Sequence, residues 1–334
     1  MLQTQIVDAS NALPENLVSS KEVEERIRNS GWSYTSFPKG IVEKTSWVIN
    51  RRYTADNEYP STLASKACLN IISRNSRRID LLIFASASQD LIEPATANII
   101  QANTWLTCPT LDIKNACNSV LSALDMADWL IRSWKYENIL VCSWETPSKS
   151  IRWKLNSKED FLKSFSWYTL WDAWAALLLS ATNDETKWIR FQHFETQGNL
   201  WDSITIMGWW AMYPRDADKT YFSSDATKLK SYFENAWWIP FQKGFEATWW
   251  KMDDVKKVFI HQVSSSIYKR FMEITWVPKD KVSFILDEYG NTASCWIPLA
   301  FSQAKERWEI EDGDKVIFVC YAAWLAYGIL FIQI

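Results

Sequence analysis

The chain has 334 residues, enough for one sizeable core or for two lobes that share a core. Lysine plus arginine number 36 and aspartate plus glutamate 39, so the net charge is -3, and no run of like charges suggests a nucleic-acid-binding arm. We therefore expect no nucleic-acid partner.

Targeting and membrane signals are missing from the sequence pattern. The opening MLQTQIVDASNALPENLVSS has neither a basic segment followed by an apolar one nor an Arg-rich amphipathic pattern. No run reaches the roughly 20 apolar residues of a membrane span. The six cysteines form no CxxC pair, which argues against a zinc site and a dense disulfide framework. We expect a cytoplasmic protein with no membrane segment and no metal.

Apolar runs rich in β-branched residues alternate with helical patterns through the first half of the chain. In order, the pattern predicts a strand at 80–87, a helix at 94–104, a strand at 110–113, a helix at 119–133 and a strand at 138–142. Strand–helix–strand units of this kind surround a buried sheet, so the predicted fold class is α/β.

The second half repeats the first at low similarity. Residues 104–109 resemble 275–278, Asn115-Ala116-Cys117 resembles Asn291-Thr292-Ala293, and 138–142 resembles 315–320. We predict two duplicated βα lobes, 1–180 and 181–334, joined near the polar segment 181–187. The alternative is that any two βα units look alike. Residues 198–247 break the pattern and are predicted to form a cap or a channel lining.

Only two histidines are available for imidazole chemistry near neutral pH. His261 follows a predicted strand, 255–260, and precedes a helix beginning near Ser264. Because α/β folds place their sites where strands end and helices begin, His261 is the candidate. His193 lies in a polar segment and is expected at the surface.

Cys117 and Asn291 occupy similar positions. Cys117 follows a predicted strand and stands at the start of a helix, where the helix dipole favours a thiolate, so it is the best nucleophile candidate among the cysteines. A buried small residue is the alternative for this position. Asn291 is interpreted as lying between a strand and a helix, and a helix cap is its alternative.

Three ordered segments carry a resemblance to a known family: Asp112-Ile113-Lys114-Asn115-Ala116-Cys117, His261-Gln262 and Gly290-Asn291-Thr292. In this order and separation they resemble β-ketoacyl-acyl-carrier-protein synthase III of the thiolase superfamily. Supporting segments span nearly the whole chain, at residues 13–15, 51–53, 145–148 and 312–316. The resemblance implies a thiolase-like fold with five layers in the order α-β-α-β-α.

The same resemblance implies a decarboxylating Claisen condensation. Cys117 would carry an acyl group, and His261 and Asn291 would stabilise the enolate formed from malonyl-acyl-carrier protein. The backbone N–H groups of Cys117 and Ala323 would bind the oxyanion. The implied partners are acyl-carrier protein and coenzyme A thioesters, with no cofactor or metal, and the implied assembly is a homodimer.

Rival interpretations stay open at this point. A Cys-His-Asn thioester or amide hydrolase fits the spacing between Cys117 and His261, although the local context of Cys117 differs from that of papain-like proteases. A non-catalytic acyl-binding protein and a condensing enzyme of secondary metabolism are further alternatives. The family usually has His-Gln-Ala-Asn where this chain has His261-Gln262-Val263-Ser264. The glutamate of hydroxymethylglutaryl synthases is absent from residues 85–90.

The composition is abnormal, with 22 tryptophans and 8 glycines. A usual glycine share of about 7% would give roughly 23 in this length. The resemblance implies that many tryptophans stand where the family has glycine. The clearest are Trp47, Trp105, Trp134, Trp144, Trp171, Trp174, Trp209, Trp210, Trp276, Trp296 and Trp324. Glycine permits positive φ and close backbone approach, which an indole does not. We hypothesise a gene in which UGA encodes glycine; a deliberately altered chain is the alternative.

Overall fold

The structure is a computed structural model that describes residues 2–29, 38–208, 210–225, 238–323 and 326–334. Within these ranges, no helix combines the length and the apolar character needed to cross a bilayer. Trp209 and Trp324, two of the tryptophans that stand in place of the family's glycines, lie outside the described residues.

Strands and helices alternate along the chain. The first half contains β1 (Gln3–Ala12), β2 (Asn16–Ser19), α1 (Ser20–Arg28), α2 (Ile41–Ser46), β3 (Asn50–Tyr53), α3 (Pro60–Arg74), β4 (Leu81–Ala85), α4 (Thr96–Thr104), β5 (Thr110–Ile113), α5 (Ser119–Arg132), β6 (Asn138–Glu145), α6 (Lys158–Ser164) and β7 (Ala173–Thr182). The second half contains β8 (Trp188–Glu195), β9 (Ile204–Thr205), β10 (Ser223–Ser224), α7 (Trp238–Thr248), β11 (Val255–Ile260), α8 (Ser265–Thr275), α9 (Leu286–Tyr289), α10 (Trp296–Glu306), β12 (Lys315–Tyr321) and β13 (Tyr327–Gln333).

Two mixed sheets share one topology. The first has the order β1-β7-β6-β4-β5, in which β7 is antiparallel to both β1 and β6, and β6, β4 and β5 are parallel. The second has the order β8-β13-β12-β11, with the same antiparallel and parallel sequence. A parallel bridge from Val258 to Val282 stands where β5 stands in the first sheet. Each sheet is therefore the topological counterpart of the other.

Helices separate and cover the two sheets. α5 and α10 lie between them, and their apolar residues pack against strands of both sheets in one core cluster. α3 and α4 cover the outer face of the first sheet, and α7 and α8 cover the outer face of the second. The strands are buried on both faces, as β4 and β6 show with every residue buried. The five-layer α-β-α-β-α order is confirmed.

Most predicted elements form with small changes in their ends. β5 and β11 have the predicted bounds, and the hydroxyl of Ser264 caps α8 by accepting from the N–H of Ile267. β6 runs three residues further than predicted, to Glu145, because Ser143 and Trp144 continue the ladder with β7. The lobe boundary at residue 180 stays a prediction, and it would fall inside β7.

Two interpretations need correction. Asn291 does not follow a strand, because the short helix α9 and Gly290 precede it. The alignment of the two repeated turns also shifts by one residue. Ala116 and Ala293 share a positive φ, of 47° and 49°, so Cys117 corresponds to Ser294. The predicted excursion at 198–247 contains short 3-10 turns, the β9–β10 pair and α7 in its described part.

Candidate active site

Cys117 stands in the turn between β5 and α5, two residues before the helix begins. Its side chain is half-buried against the core between the sheets. Its carbonyl oxygen accepts a hydrogen bond from the thiol of Cys320, with a sulfur-to-oxygen distance of 3.1 Å. The nucleophile candidate is thus attached to β12, a strand of the second sheet.

Burial, followed by the charge of Glu145, raises the pKa of the Cys117 thiol to about 12. This is opposite to the expectation from the helix dipole. A dipole contributes about 0.3–1 kcal/mol, which is less than one pKa unit, whereas burial shifts a pKa by up to about 3–5 units. Desolvation therefore dominates, and Cys117 is a neutral thiol at neutral pH.

His261 follows β11 directly and is almost fully buried. Its backbone N–H donates to the carbonyl of Val319 at 2.8 Å, one residue before Cys320. Both β11 and Cys117 are thereby bound to consecutive residues of β12. Burial lowers the pKa of the imidazole to about 4. Neither ring nitrogen has a hydrogen-bond partner in the described part of the chain.

Asn291 is buried and held by its backbone from both sides. Its N–H donates to the carbonyl of Thr169 at 3.2 Å, and its carbonyl accepts from the N–H of Trp171 at 2.9 Å. The side-chain oxygen accepts from the N–H of Ala293 at 2.9 Å. This oxygen therefore forms an Asx-type turn, and the amide nitrogen is the group left for a ligand.

Ala323 lies in the turn that joins β12 to β13, directly before the undescribed residues 324 and 325. The turn is closed by Ala322, whose N–H donates to the carbonyl of Ala326 at 2.8 Å. Because this turn continues the strand that contacts Cys117, Ala323 lies at the same end of β12 as the nucleophile candidate.

Glu145 is a site residue that sequence reasoning named only as part of a supporting segment. It ends β6 and is almost fully buried. Its carboxylate accepts from the N–H of Ala87 at 2.8 Å, the hydroxyl of Ser88 at 2.8 Å and the hydroxyl of Ser294 at 2.5 Å. An acidic residue at the end of the apolar run Asn138–Glu145 was the available signal.

Burial raises the pKa of Glu145, and the hydrogen bonds from Ser294, Ala87 and Ser88 oppose that shift. No cation pairs with this carboxylate among the described residues, so the hydroxyls and the amide supply its stabilisation. Glu145 thereby joins three loops, those after β4 and β6 and the turn before α10, beside Cys117.

The other histidine lies elsewhere, and no metal cluster is present in the described ranges. His193 is on β8, an edge strand, where its Nε2 is 2.6 Å from the carboxylate of Glu195. No group of three or more His, Cys, Asp or Glu residues that the structure describes could hold a metal ion.

Comparison with known proteins identifies the family. Residues 111–198 match the family described as 3-Oxoacyl-[acyl-carrier-protein (ACP)] synthase III, and residues 245–334 match its C-terminal counterpart. Together these matches cover more than half of the chain. A β-ketoacyl-[acyl-carrier-protein] synthase III of Clostridium perfringens is 26% identical over 333 residues, with 96% of each chain covered. That of Aquifex aeolicus is 24% identical, with 99% of each covered.

Solved structures share the fold. The 3-oxoacyl-(acyl carrier protein) synthase III of Pseudomonas aeruginosa has a TM-score of 0.84 at 18% identity, with 99% of this chain and 98% of that chain covered. OleA of Xanthomonas campestris has a TM-score of 0.86 at 21% identity, with 100% and 98% covered. The implied thiolase-like fold is confirmed by this similarity. From the two family matches and the full-length relatives, the chain belongs to the 3-oxoacyl-acyl-carrier-protein synthase III family.

Proposed function

We propose that the chain catalyses a decarboxylating Claisen condensation of an acyl-coenzyme A with malonyl-acyl-carrier protein, as a step of fatty-acid biosynthesis. The curated relatives that match over nearly the full length are β-ketoacyl-[acyl-carrier-protein] synthases III. Cys117 is the nucleophile in this proposal, and His261 and Asn291 act on the malonyl thioester.

The reaction has two halves. The Cys117 sulfur attacks the acyl thioester carbonyl, the bond to coenzyme A breaks, and the thiol proton leaves on the coenzyme A sulfur. Malonyl thioester then loses carbon dioxide, and the electron pair of the broken bond forms an enolate. The enolate carbon attacks the acyl group and displaces the Cys117 sulfur as a thiolate, which takes up a proton from solvent to restore the thiol. The product is a 3-oxoacyl thioester.

The state of the His261 ring carries the proposal. The imidazole is neutral, and neither nitrogen has a hydrogen-bond partner among the described residues. Strand β12 connects it to the turn that holds Cys117. Because burial holds the pKa of His261 at about 4, the ring is uncharged at neutral pH and donates a single N–H. A neutral donor stabilises the developing enolate oxygen without forming an ion pair with the malonyl carboxylate. The amide nitrogen of Asn291 supplies a second donor.

The oxyanion of the acylation step requires two backbone donors, for which we propose the N–H groups of Cys117 and Ala323. The hydrogen bond from Cys320 to the Cys117 carbonyl supports this pairing, because it holds the nucleophile turn against the strand that leads into Ala323. No cofactor or metal takes part in the proposed reaction.

We propose a homodimer formed through the first sheet. β5 ends the strand order β1-β7-β6-β4-β5, and its outer edge is unpaired among the described strands. An unpaired edge is a template for pairing with a second copy. Asp112 of β5 accepts hydrogen bonds from the N–H groups of Thr96 and Ala97, at the start of α4. The loop before α4 therefore lies next to β5, and its exposed Leu91 and Ile92 add apolar surface to the proposed interface.

We also propose a cytoplasmic location, which is where thiols stay reduced. All six cysteines are unpaired, and the reaction needs Cys117 as a free thiol. Coenzyme A thioesters and acyl-carrier protein are the proposed partners.

Intact-protein mass spectrometry after incubation with a panel of acyl-coenzyme A thioesters tests the proposal. We expect a mass increase equal to one acyl group, lost in Cys117→Ser and kept in Cys108→Ser, a matched change of a buried cysteine. Added malonyl-acyl-carrier protein should remove the adduct and release a 3-oxoacyl thioester. An adduct that leaves only as free acid would contradict condensation.

The rival Cys-His-Asn hydrolase requires a histidine held by a third group. In the described structure the side-chain oxygen of Asn291 binds the N–H of Ala293, and the His261 ring has no such partner. These contacts favour two separate donors over an oriented Cys-His pair.

A further inference from the structure

Six of the eight non-glycine residues with positive φ in the described chain are tryptophans. A bulky residue in the left-handed region is an outlier, because its Cβ approaches a carbonyl oxygen, and glycine alone escapes that clash. The six are Trp47 (φ 66°), Trp105 (53°), Trp134 (61°), Trp249 (59°), Trp276 (57°) and Trp308 (57°).

All six occupy the same structural position, directly after or within two residues of a helix end. Trp47, Trp105, Trp249 and Trp276 follow α2, α4, α7 and α8, and Trp134 and Trp308 come two residues after α5 and α10. At three of these ends the next residue closes a six-residue turn, as when the N–H of Lys135 donates to the carbonyl of Leu130. This is the Schellman motif, whose left-handed position is usually glycine.

Little burial of the indole rings offsets the strain of these backbone conformations. Five of the six are between 73% and 91% exposed. Trp47 differs, because its ring meets that of Phe284 edge to face and Lys269 lies over it. Trp167 differs in every respect: it has no positive φ, stacks on Phe222, and donates its indole N–H to the carbonyl of Pro147 at 2.7 Å.

A second set of tryptophans is unfavourable for a different reason. Four buried indoles have N–H groups without an acceptor in the described residues, and a buried donor without a partner is destabilising. They surround the candidate active site: Trp144 precedes Glu145, Trp171 binds Asn291 through its backbone, Trp174 contacts Trp144, and Trp296 begins α10.

We infer that glycine, and not tryptophan, occupies positions 47, 105, 134, 249, 276 and 308 of the protein that its cell makes, because UGA codons of the gene are read as glycine. We infer glycine also at the four buried positions 144, 171, 174 and 296. The inference rests on backbone conformation and composition and is independent of the proposed reaction.

The codons of the gene test the inference directly. We expect TGA at the six helix-end positions and TGG at Trp153 and Trp167, whose rings pack on Tyr168 and Phe222. TGG at any of the six would overturn the inference. TGA at all eight positions would also overturn it, because that pattern is expected of a code in which UGA specifies tryptophan. Peptide masses of the protein isolated from its own cells should show glycine at the six positions and tryptophan at the two controls.

A matched pair of variants tests the backbone argument in the recombinant protein. Trp134→Gly removes an indole from the left-handed end of α5, whereas Trp129→Gly removes a similarly exposed indole from its interior. We expect the first to raise the melting temperature by about 2 °C and the second to lower it by about 2 °C.

If the chain with all 22 tryptophans does not fold, the pair is made in a background with glycine at the other five helix-end positions. The six-fold variant should then be soluble where the tryptophan form is not. Equal shifts for Trp134→Gly and Trp129→Gly, or a lower melting temperature for Trp134→Gly, would overturn the backbone argument.

Discussion

The turns before α5 and α10 are counterparts in the two halves, and they differ in the residue that comes after the left-handed alanine. Ala116 precedes Cys117, which is half-buried, whereas Ala293 precedes Ser294, which is almost fully buried. The Ser294 hydroxyl is hydrogen bonded to Glu145 and lies 2.8 Å from that of Ser143. The same backbone turn thus presents the nucleophile candidate in one half and a structural hydrogen bond in the other.

The largest difference between the two turns should appear in covalent chemistry. We expect Cys117→Ser to abolish acyl-enzyme formation, because a serine hydroxyl without a strong adjacent base is a far weaker nucleophile than a thiol. Ser294→Ala should keep the adduct while lowering stability. Intact mass after exposure to acyl-coenzyme A measures the adduct, and urea unfolding measures the stability. Loss of the adduct in Ser294→Ala with native stability would show that the two turns are not distinct in role.

The two proposed enolate donors, His261 and Asn291, should be separable by mutation from Cys117, the proposed nucleophile. His261→Ala or Asn291→Ala should leave acylation largely intact and slow malonyl decarboxylation by about 10²–10³-fold, the usual effect of removing one oxyanion donor. Release of labelled carbon dioxide is the measurement, and His193→Ala on β8 is the control. A His261→Ala variant that decarboxylates normally but cannot be acylated would favour the Cys-His hydrolase.

The turn that contains Ser294 should depend for its stability on the carboxylate of Glu145. Glu145→Ala leaves the hydroxyls of Ser88 and Ser294 and the N–H of Ala87 without their acceptor, at a cost of about 3 kcal/mol in the free energy of unfolding. Urea unfolding measures the change. Glu288→Ala, which breaks an exposed ion pair with Arg307, should cost less than about 1 kcal/mol. Equal effects would contradict the role assigned to Glu145.

The smallest expected effect is a pH dependence from His261. Its pKa is about 4 in the folded chain and about 6.5 when unfolded, so the unfolded state binds the proton first as the pH falls. The resulting stability is complete above pH 7 and decreases between about pH 6.5 and 4. From pH 7 to pH 5 the wild type should lose about 2 kcal/mol more than His261→Gln in urea unfolding. Parallel profiles would place His261 in contact with water.

The sequence by itself determined the α/β class, the bounds of β5 and β11, the start of α8 next to Ser264 and the choice of three catalytic candidates. These features depend on neighbours along the chain, namely apolar periodicity, a cap hydroxyl and the order of short motifs. The excess of tryptophan over glycine was likewise visible in composition, although Trp249 and Trp308 were identified only by their backbone conformation.

Tertiary structure alone decided the electrostatics of the site. The dipole of α5 suggested a lowered pKa for Cys117, but burial between two sheets raises it, because desolvation depends on residues distant in sequence. Glu145 accepts hydrogen bonds from Ala87 and Ser294, and these donors reach its carboxylate only when β4, β6 and α10 pack together. Asn291 follows α9 and not a strand, and its backbone is held by Thr169 and Trp171, which are distant in sequence. Contacts between distant segments have no signature in local pattern, and they decide which polar groups are buried and paired.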